Sequence, residues 1–256
     1  MAAQSTKCIA VSVGLSSLLA WGGTVGAAEV KVLSTVAVKA VVEELAPQFE
    51  RQTGHKLAIT FGVANTMKRQ IDAGERFDVA IMTAPVADAL IKEGKIVPAT
   101  RTDVARGAIG IAVRRGAPKP DIGSVEALKR AILAAESIAF SKEGWSGLYF
   151  AGLLERFGIA ETVKPKIRYG TTNVGEMVAA GEAQMGVQLI NELIAVPGVE
   201  LVGPLPVEVQ NHVVLTGGVG AQASDPAAAE AFLRFITAAD AAPLIRAKGL
   251  EPGPDF

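Results

Sequence analysis

The residues of this 256-residue chain best suited to hold a ligand are neutral, and they recur at four turns. These are Ser34-Thr35-Val36-Ala37, Gly62-Val63-Ala64-Asn65-Thr66, Ser141 to Gly147 (SKEGWSG) and Gly170-Thr171-Thr172-Asn173-Val174. Each sets Ser, Thr, Asn or Gly between a β-rich run and a helical pattern. At any one of them the ordinary role is N-capping of the helix that follows. As a set they aim four helix N-termini from the carboxyl ends of strands. Free N–H groups and partial positive charge at such ends suit an anion.

Groups that could break or make covalent bonds are sparse. His55 and His212 are the only histidines. His55 follows Gly54, where a solvated turn is expected, and His212 begins a strand. Glu143, Glu176 and Glu182 fall at ordinary solvated helix or loop positions. The sequence has no GxSxG elbow, HExxH pair or P-loop. Lys39, Arg69, Lys142 and Arg168 flank the turns, and Lys142 and Arg168 are placed best to meet a carboxylate. Trp145 and Tyr149 at the third turn are expected to pack between lobes, with contact to a planar ligand as the alternative. The residues describe a binding protein rather than an enzyme, with no cofactor and no metal site.

The elements that must position these turns alternate between strand and helix periods. Val30 to Leu33, Leu57 to Phe61 and Asp78 to Met82 read as strands. Between and after them come helices marked by Val38, Val41, Val42, Leu45 and Phe49, by Thr66 to Ala73, and by Ala87 to Lys92. A second series follows: strand Ala108 to Val113, helix Val125 to Ala135 capped by Ser124, strand Ile138 to Phe140 and helix Gly147 to Phe157. It continues with strand Ile167 to Tyr169, helix Val174 to Ala180, strand Met185 to Leu189 and helix Asn191 to Val196. His212 to Leu215 returns as a strand. Ser224, Asp225 and Pro226 open a helix over Ala227 to Ala238, and a last helix runs from Ala242 to about Lys248. This order predicts an α/β fold with mostly parallel sheets in two lobes. Ligands of such folds sit in the crevice at the strand carboxyl ends.

Composition agrees. Half of the residues are hydrophobic and 20% are charged, enough apolar side chains for a sizeable core. Twenty-five basic residues against 26 acidic ones give no basic surface for nucleic acid. Mean hydropathy is +0.34, and part of it comes from the N-terminus. Lys7, the apolar run Cys8 to Trp21 and the small residues up to Ala28 have the order of a secretory signal peptide. The run is too short to span a bilayer. Its removal takes away Cys8, the only cysteine, so the mature protein has no disulfide or thiolate. The expected division is a signal peptide over 1–28, a discontinuous first lobe over 29–110 and 211–256, and a second lobe over 111–210.

The mature chain resembles the periplasmic molybdate-binding proteins of ABC importers, within the type II substrate-binding proteins. The resemblance is carried by VKVLSTVAVKAVVEELAPQFERQTGHKLAITFG (Val30 to Gly62), by NTMKRQIDAGERFDVAIMTAP (Asn65 to Pro85) and by the ending KGLEPGPDF. It implies two α/β lobes joined by two crossing hinge strands and closing over a ligand. It also implies a periplasmic location, an ABC permease in the inner membrane as partner, and a monomer. In that family, hydroxyls and backbone N–H groups hold an oxyanion without countercharge. By that match the first two serines fall at Ala37 and Ala64, the third near Ser146, the valine N–H at Val174 and the tyrosine at Leu189.

Two lost hydroxyls at about 1.5–3 kcal/mol each remove about 3–6 kcal/mol, or roughly two to four decades of affinity. Substitute donors are Thr35, Asn65, Thr66, Ser146, Thr172, Asn173 and Gln188, and Val36 belongs with Ala37 to the expected ligand-binding turn. Asn and Gln also bring acceptors, which suit a ligand carrying its own donors. The expected ligand is a small anion, molybdate or tungstate by family. The alternative is a small organic carboxylate, bound for import or for periplasmic sensing.

Overall fold

A computed structural model describes residues 27–171 and 174–253. All but the last two residues of the expected signal peptide, and the turn residues Thr172 and Asn173, lie outside the described residues. The strands are β1 (Glu29–Thr35), β2 (Lys56–Gly62), β3 (Val79–Thr83), β4 (Thr102–Arg114), β5 (Ile138–Ser141), β6 (Ile167–Gly170), β7 (Met185–Leu189), β8 (Val199–Pro204), β9 (His212–Val219) and β10 (Glu251–Pro252). The helices are α1 (Lys39–Thr53), α2 (Ala64–Asp72), α3 (Ala84–Lys92), α4 (Val125–Ala134), α5 (Trp145–Arg156), α6 (Ala160–Val163), α7 (Val174–Ala180), α8 (Ile190–Ile194), α9 (Pro226–Ile236) and α10 (Ala242–Ala247).

Local chemistry sets many of these boundaries. Gly54 ends α1 in the left-handed conformation at φ 79°, a region that glycine enters without Cβ strain. Ser124 caps α4 through Ala127 N–H at 3.2 Å, and Asp225 caps α9 through Ala228 N–H at 3.0 Å. Buried Val41, Val42, Leu45 and Phe49 form the inner stripe of α1. Phe49 meets Phe232 edge-on at 5.2 Å, which joins α1 to α9. In the other lobe Phe140 of β5 meets Phe150 of α5 at 5.3 Å.

The strands run in the order β2-β1-β3-β9-β4-β7-β5-β6, with β8 and β10 also paired to β4. Pairs β1–β2, β1–β3, β5–β6 and β5–β7 are parallel. Pairs β3–β9, β4–β9, β4–β7, β4–β8 and β4–β10 are antiparallel. The mostly parallel sheet expected from the element order is therefore corrected. Each lobe has a parallel set of three strands, and every antiparallel pair involves β4 or β9, which carry the chain at the lobe junction.

Strand β4 is the first crossing. Up to Ala108 it pairs with β9, and from Ile109 it pairs with β7. The return segment, 205–211, lies beside the handover point. Gln210 clips the two together: its Oε1 accepts from Ile109 N–H at 3.1 Å and its Nε2 donates to Ile109 O at 2.9 Å. This is the two-lobe type II periplasmic binding protein architecture.

Candidate functional site

A cavity of about 240 Å³ lies between the lobes, at the carboxyl ends of the parallel strands. Thr35, Val36 and Ala37 reach it from the turn after β1, and Val63, Ala64 and Asn65 from the start of α2. Thr83, Pro85 and Val86 border it from the start of α3, and Ser141, Gly144, Trp145 and Ser146 from the start of α5. Thr171, Gln188, Leu189 and Glu192 complete the second lobe's side. The first helical bonds of α2 and α5 are Met67 N–H to Val63 O at 3.0 Å and Leu148 N–H to Gly144 O at 2.9 Å. The N–H groups ahead of them have no acceptor within their own helices.

The side chains divide into those already used and those available. Thr35 Oγ1 accepts from Ala37 N–H at 3.4 Å, a long cap bond. Ser141 Oγ accepts from Gly144 N–H at 2.8 Å and donates to Thr171 O at 3.1 Å, fixing the third turn. Gly147 makes that turn possible, because a Cβ there would lie 1.8 Å from Ser141 O. Thr83 and Ser146 are buried on the cavity wall with no hydrogen-bond partner among the described residues. Trp145 borders the cavity and stacks on Tyr149 at 5.9 Å with an interplanar angle of 9°. Tyr149 is held in turn by its hydroxyl, which donates to Val209 O at 2.9 Å.

The lobes touch at both margins of the cavity. On one side Glu143 O accepts from Asn65 Nδ2 at 3.1 Å, and the Glu143 carboxylate takes Thr66 Oγ1 at 3.1 Å and Arg69 at 2.8 Å. Arg69 and then Thr66 hold the Glu143 carboxyl below the usual range. On the other side buried Asn191 donates from Nδ2 to Ala37 O at 2.7 Å, while its Oδ1 is buried without a partner among the described residues.

Glu192 is the second carboxyl on the wall. It sits at the third position of α8, after Leu189 at the N-cap, the geometry of a capping glutamate. Desolvation pushes it up to about 7, and donation from Leu189 N–H and from the Gln188 side chain only partly offsets this. One carboxyl of the cleft is therefore firmly ionised and the other is poised near neutrality. No Lys or Arg borders the cavity among the described residues.

Thr35, Val36, Ala37, Ala64, Asn65, Ser146 and Gln188 all reach the cavity. Thr66 lies just outside, in the Glu143 contact. Val174 is fully buried and packs in the small core around α7. Thr172 and Asn173 lie outside the described residues. The flanking cations turn elsewhere: Lys39 pairs with Glu43, Lys142 lies 6.0 Å from the Tyr169 ring centre, and Arg168 donates to Pro165 O and Ile167 O. His55 corrects the expectation of a solvated turn, being buried with Nδ1 accepting from Ala28 N–H at 3.1 Å.

Thr83 and Glu192 were missed by sequence reasoning. Thr83 had a readable signal, a Thr two residues before a Pro at a helix start. Glu192 did not, since Leu189 is no recognisable capping residue and a glutamate in a short helix looks solvated.

The bacterial extracellular solute-binding protein family matches residues 30–251. An aconitate isomerase of Pseudomonas sp. is 34% identical over 230 residues, covering 87% of each chain. The molybdate-binding protein ModA of Azotobacter vinelandii is 29% identical over 239 residues, covering 87% of this chain and 90% of its own. The solved periplasmic molybdate-binding protein of the same organism superposes with a TM-score of 0.72 at 23% identity, over 86% of this chain and 98% of that one. With its two lobes and interlobe cavity, this chain belongs to the bacterial extracellular solute-binding protein family.

Proposed function

We propose that this protein binds a small organic polycarboxylic acid of the aconitate class in the interlobe cavity. It does so outside the cytoplasm and hands the acid to an ABC permease. The observation that carries the reading is Glu192 beside Gln188 on the cavity wall. A fully deprotonated tetraoxyanion wants donors only. A carboxyl poised near 7 suits a ligand whose own carboxylates can share its proton. The cavity of about 240 Å³ is roomy for a compact tetraoxyanion. Trp145 on the cavity border gives a planar conjugated acid an aromatic neighbour. The relative named for aconitate supports the same class.

Ligand negative charge is met by helix N-termini and by the Thr83 and Ser146 hydroxyls. The test is a titration of the mature protein with trans-aconitate, cis-aconitate, citrate, molybdate, tungstate and sulfate, read by Trp145 fluorescence and by thermal shift. Saturation by aconitate at micromolar concentrations, with molybdate silent in both assays, is expected. Saturation by molybdate or tungstate with every carboxylate silent refutes the reading and returns the site to its molybdate-binding relatives.

A further inference from the structure

We propose that the Glu192 carboxylate moves a proton between two carbons of a bound unsaturated polycarboxylic acid, so that the cleft isomerises its ligand as well as holding it. The proposal rests on the carboxylate-binding reading above. In the step, Glu192 takes a proton from the methylene carbon between a carboxyl and the double bond. The C–H electron pair spreads over the three-carbon unit as the double bond shifts by one position. The same carboxyl then returns a proton to the far carbon. One C–H bond breaks, one forms, and no oxidant or reductant is needed.

Geometry separates Glu192 from the other carboxyl of the cleft. Glu143 is tied by Arg69 at 2.8 Å and Thr66 at 3.1 Å and kept acidic, which makes it a weak base. Glu192 meets no cation on the cavity wall among the described residues, and desolvation makes it the stronger base, poised near 7. Two carboxyls in one site with opposed environments assign the proton-transfer role to the desolvated one. Gln188 and Leu189 N–H orient it. The helix N-termini around the cavity are positioned to stabilise charge that develops on the ligand carboxylates.

Glu192 also lines a second groove, shared with Val36 of the first lobe. The other charged groups lining that groove are Lys39 and Glu43 of α1, Glu176 of α7, and Lys248. Lys39 is paired with Glu43 at 3.5 Å and Lys248 with Glu44 at 2.7 Å, so neither cation is committed to Glu192.

The experiment incubates the mature protein with trans-aconitate in D₂O and follows both isomers by proton NMR. Saturation is checked independently by Trp145 fluorescence. The expected result is conversion to cis-aconitate, with a turnover that rises with pH through about 7. Glu192→Gln lowers turnover at saturation by about 100-fold or more, and Glu192→Asp lies between. Saturation of the wild type without isomerisation or deuterium uptake overturns the proposal while the binding reading stands. No saturation by either isomer overturns the binding reading itself. Undiminished turnover in Glu192→Gln overturns the assignment to Glu192. If that variant does not fold, a wild-type turnover that is flat from pH 6 to 8 overturns it instead.

Discussion

Glu192 makes the stability of the free protein depend on pH in a way that one substitution removes. Its carboxyl rises from 4.5 to about 7 on folding, mainly by desolvation. The native state therefore holds this proton more tightly than the unfolded chain. Stability associated with the protonated carboxyl is fully present below about 4.5 and is lost as pH rises through about 7. At 1.36 kcal/mol per pH unit, that interval caps the loss at about 3 kcal/mol. Glu192 keeps part of its surface in the cleft, so water screening brings the expected figure to about 1–2 kcal/mol. Glu192→Gln keeps the shape and has no charge to desolvate. The assay is urea denaturation of both proteins from pH 5 to 9, without ligand. Near pH 5 the curves lie close together. By pH 8 the variant is the more stable, and above that the difference is constant. Parallel curves across the whole range refute the desolvation argument. A wild type that gains on the variant as pH rises refutes even its sign.

Three further substitutions probe the parts that hold the cleft. Gln210→Ala removes both bonds to Ile109, at 3.1 and 2.9 Å, and lowers stability by about 1–3 kcal/mol in urea at unchanged m-value; an unshifted midpoint shows that water replaces the clip. Asn191→Ala breaks the 2.7 Å bond to Ala37 O between the lobes and weakens ligand binding roughly fivefold, about 1 kcal/mol, by titration. If affinity holds while stability falls, that bond does not distinguish the closed state. Gly147→Ala places a methyl group against Ser141 O, 1.8 Å from its ideal position, so the start of α5 must shift. It costs about 1–3 kcal/mol and strongly reduces binding, and a variant with wild-type melting and affinity contradicts that packing.

The sequence carried the framework well because the framework is built from periodicity and punctuation. The apolar stripe of α1, Gly54 after it, Ser124 before α4 and Asp225-Pro226 before α9 are local signals, and the structure uses each of them. The direction of the joining strands was not legible. Nothing in Thr102 to Gly107 or in Val199 to Pro204 announces that these residues pair antiparallel at the lobe junction. The turns were readable as turns, since capping residues are short-range chemistry. Which cations would face the cavity was not. Lys142 and Arg168 have the right positions along the chain, but their side chains settle over Tyr169 and on backbone carbonyls. Glu192 was invisible for the same reason, since burial is a tertiary property.

On the proposed isomerisation, binding and turnover should respond to pH with opposite signs, and this follows from how the cleft is charged. Helix N-termini supply roughly half an elementary charge each, without any lysine or arginine among the described lining residues. Against a polyanionic ligand, an ionised Glu192 is repulsive and a protonated one is a hydrogen-bond donor. Ligand occupancy therefore raises the proton affinity of Glu192 further, and binding takes up protons. Affinity is expected to fall as pH rises through about 7. Turnover at saturation depends on the ionised carboxylate and is expected to rise across the same range, with its midpoint displaced upward in the complex. Titrations and saturated rates measured on one protein between pH 6 and 9 separate the two dependences. If affinity and turnover rise together, Glu192 is not the group on which both depend.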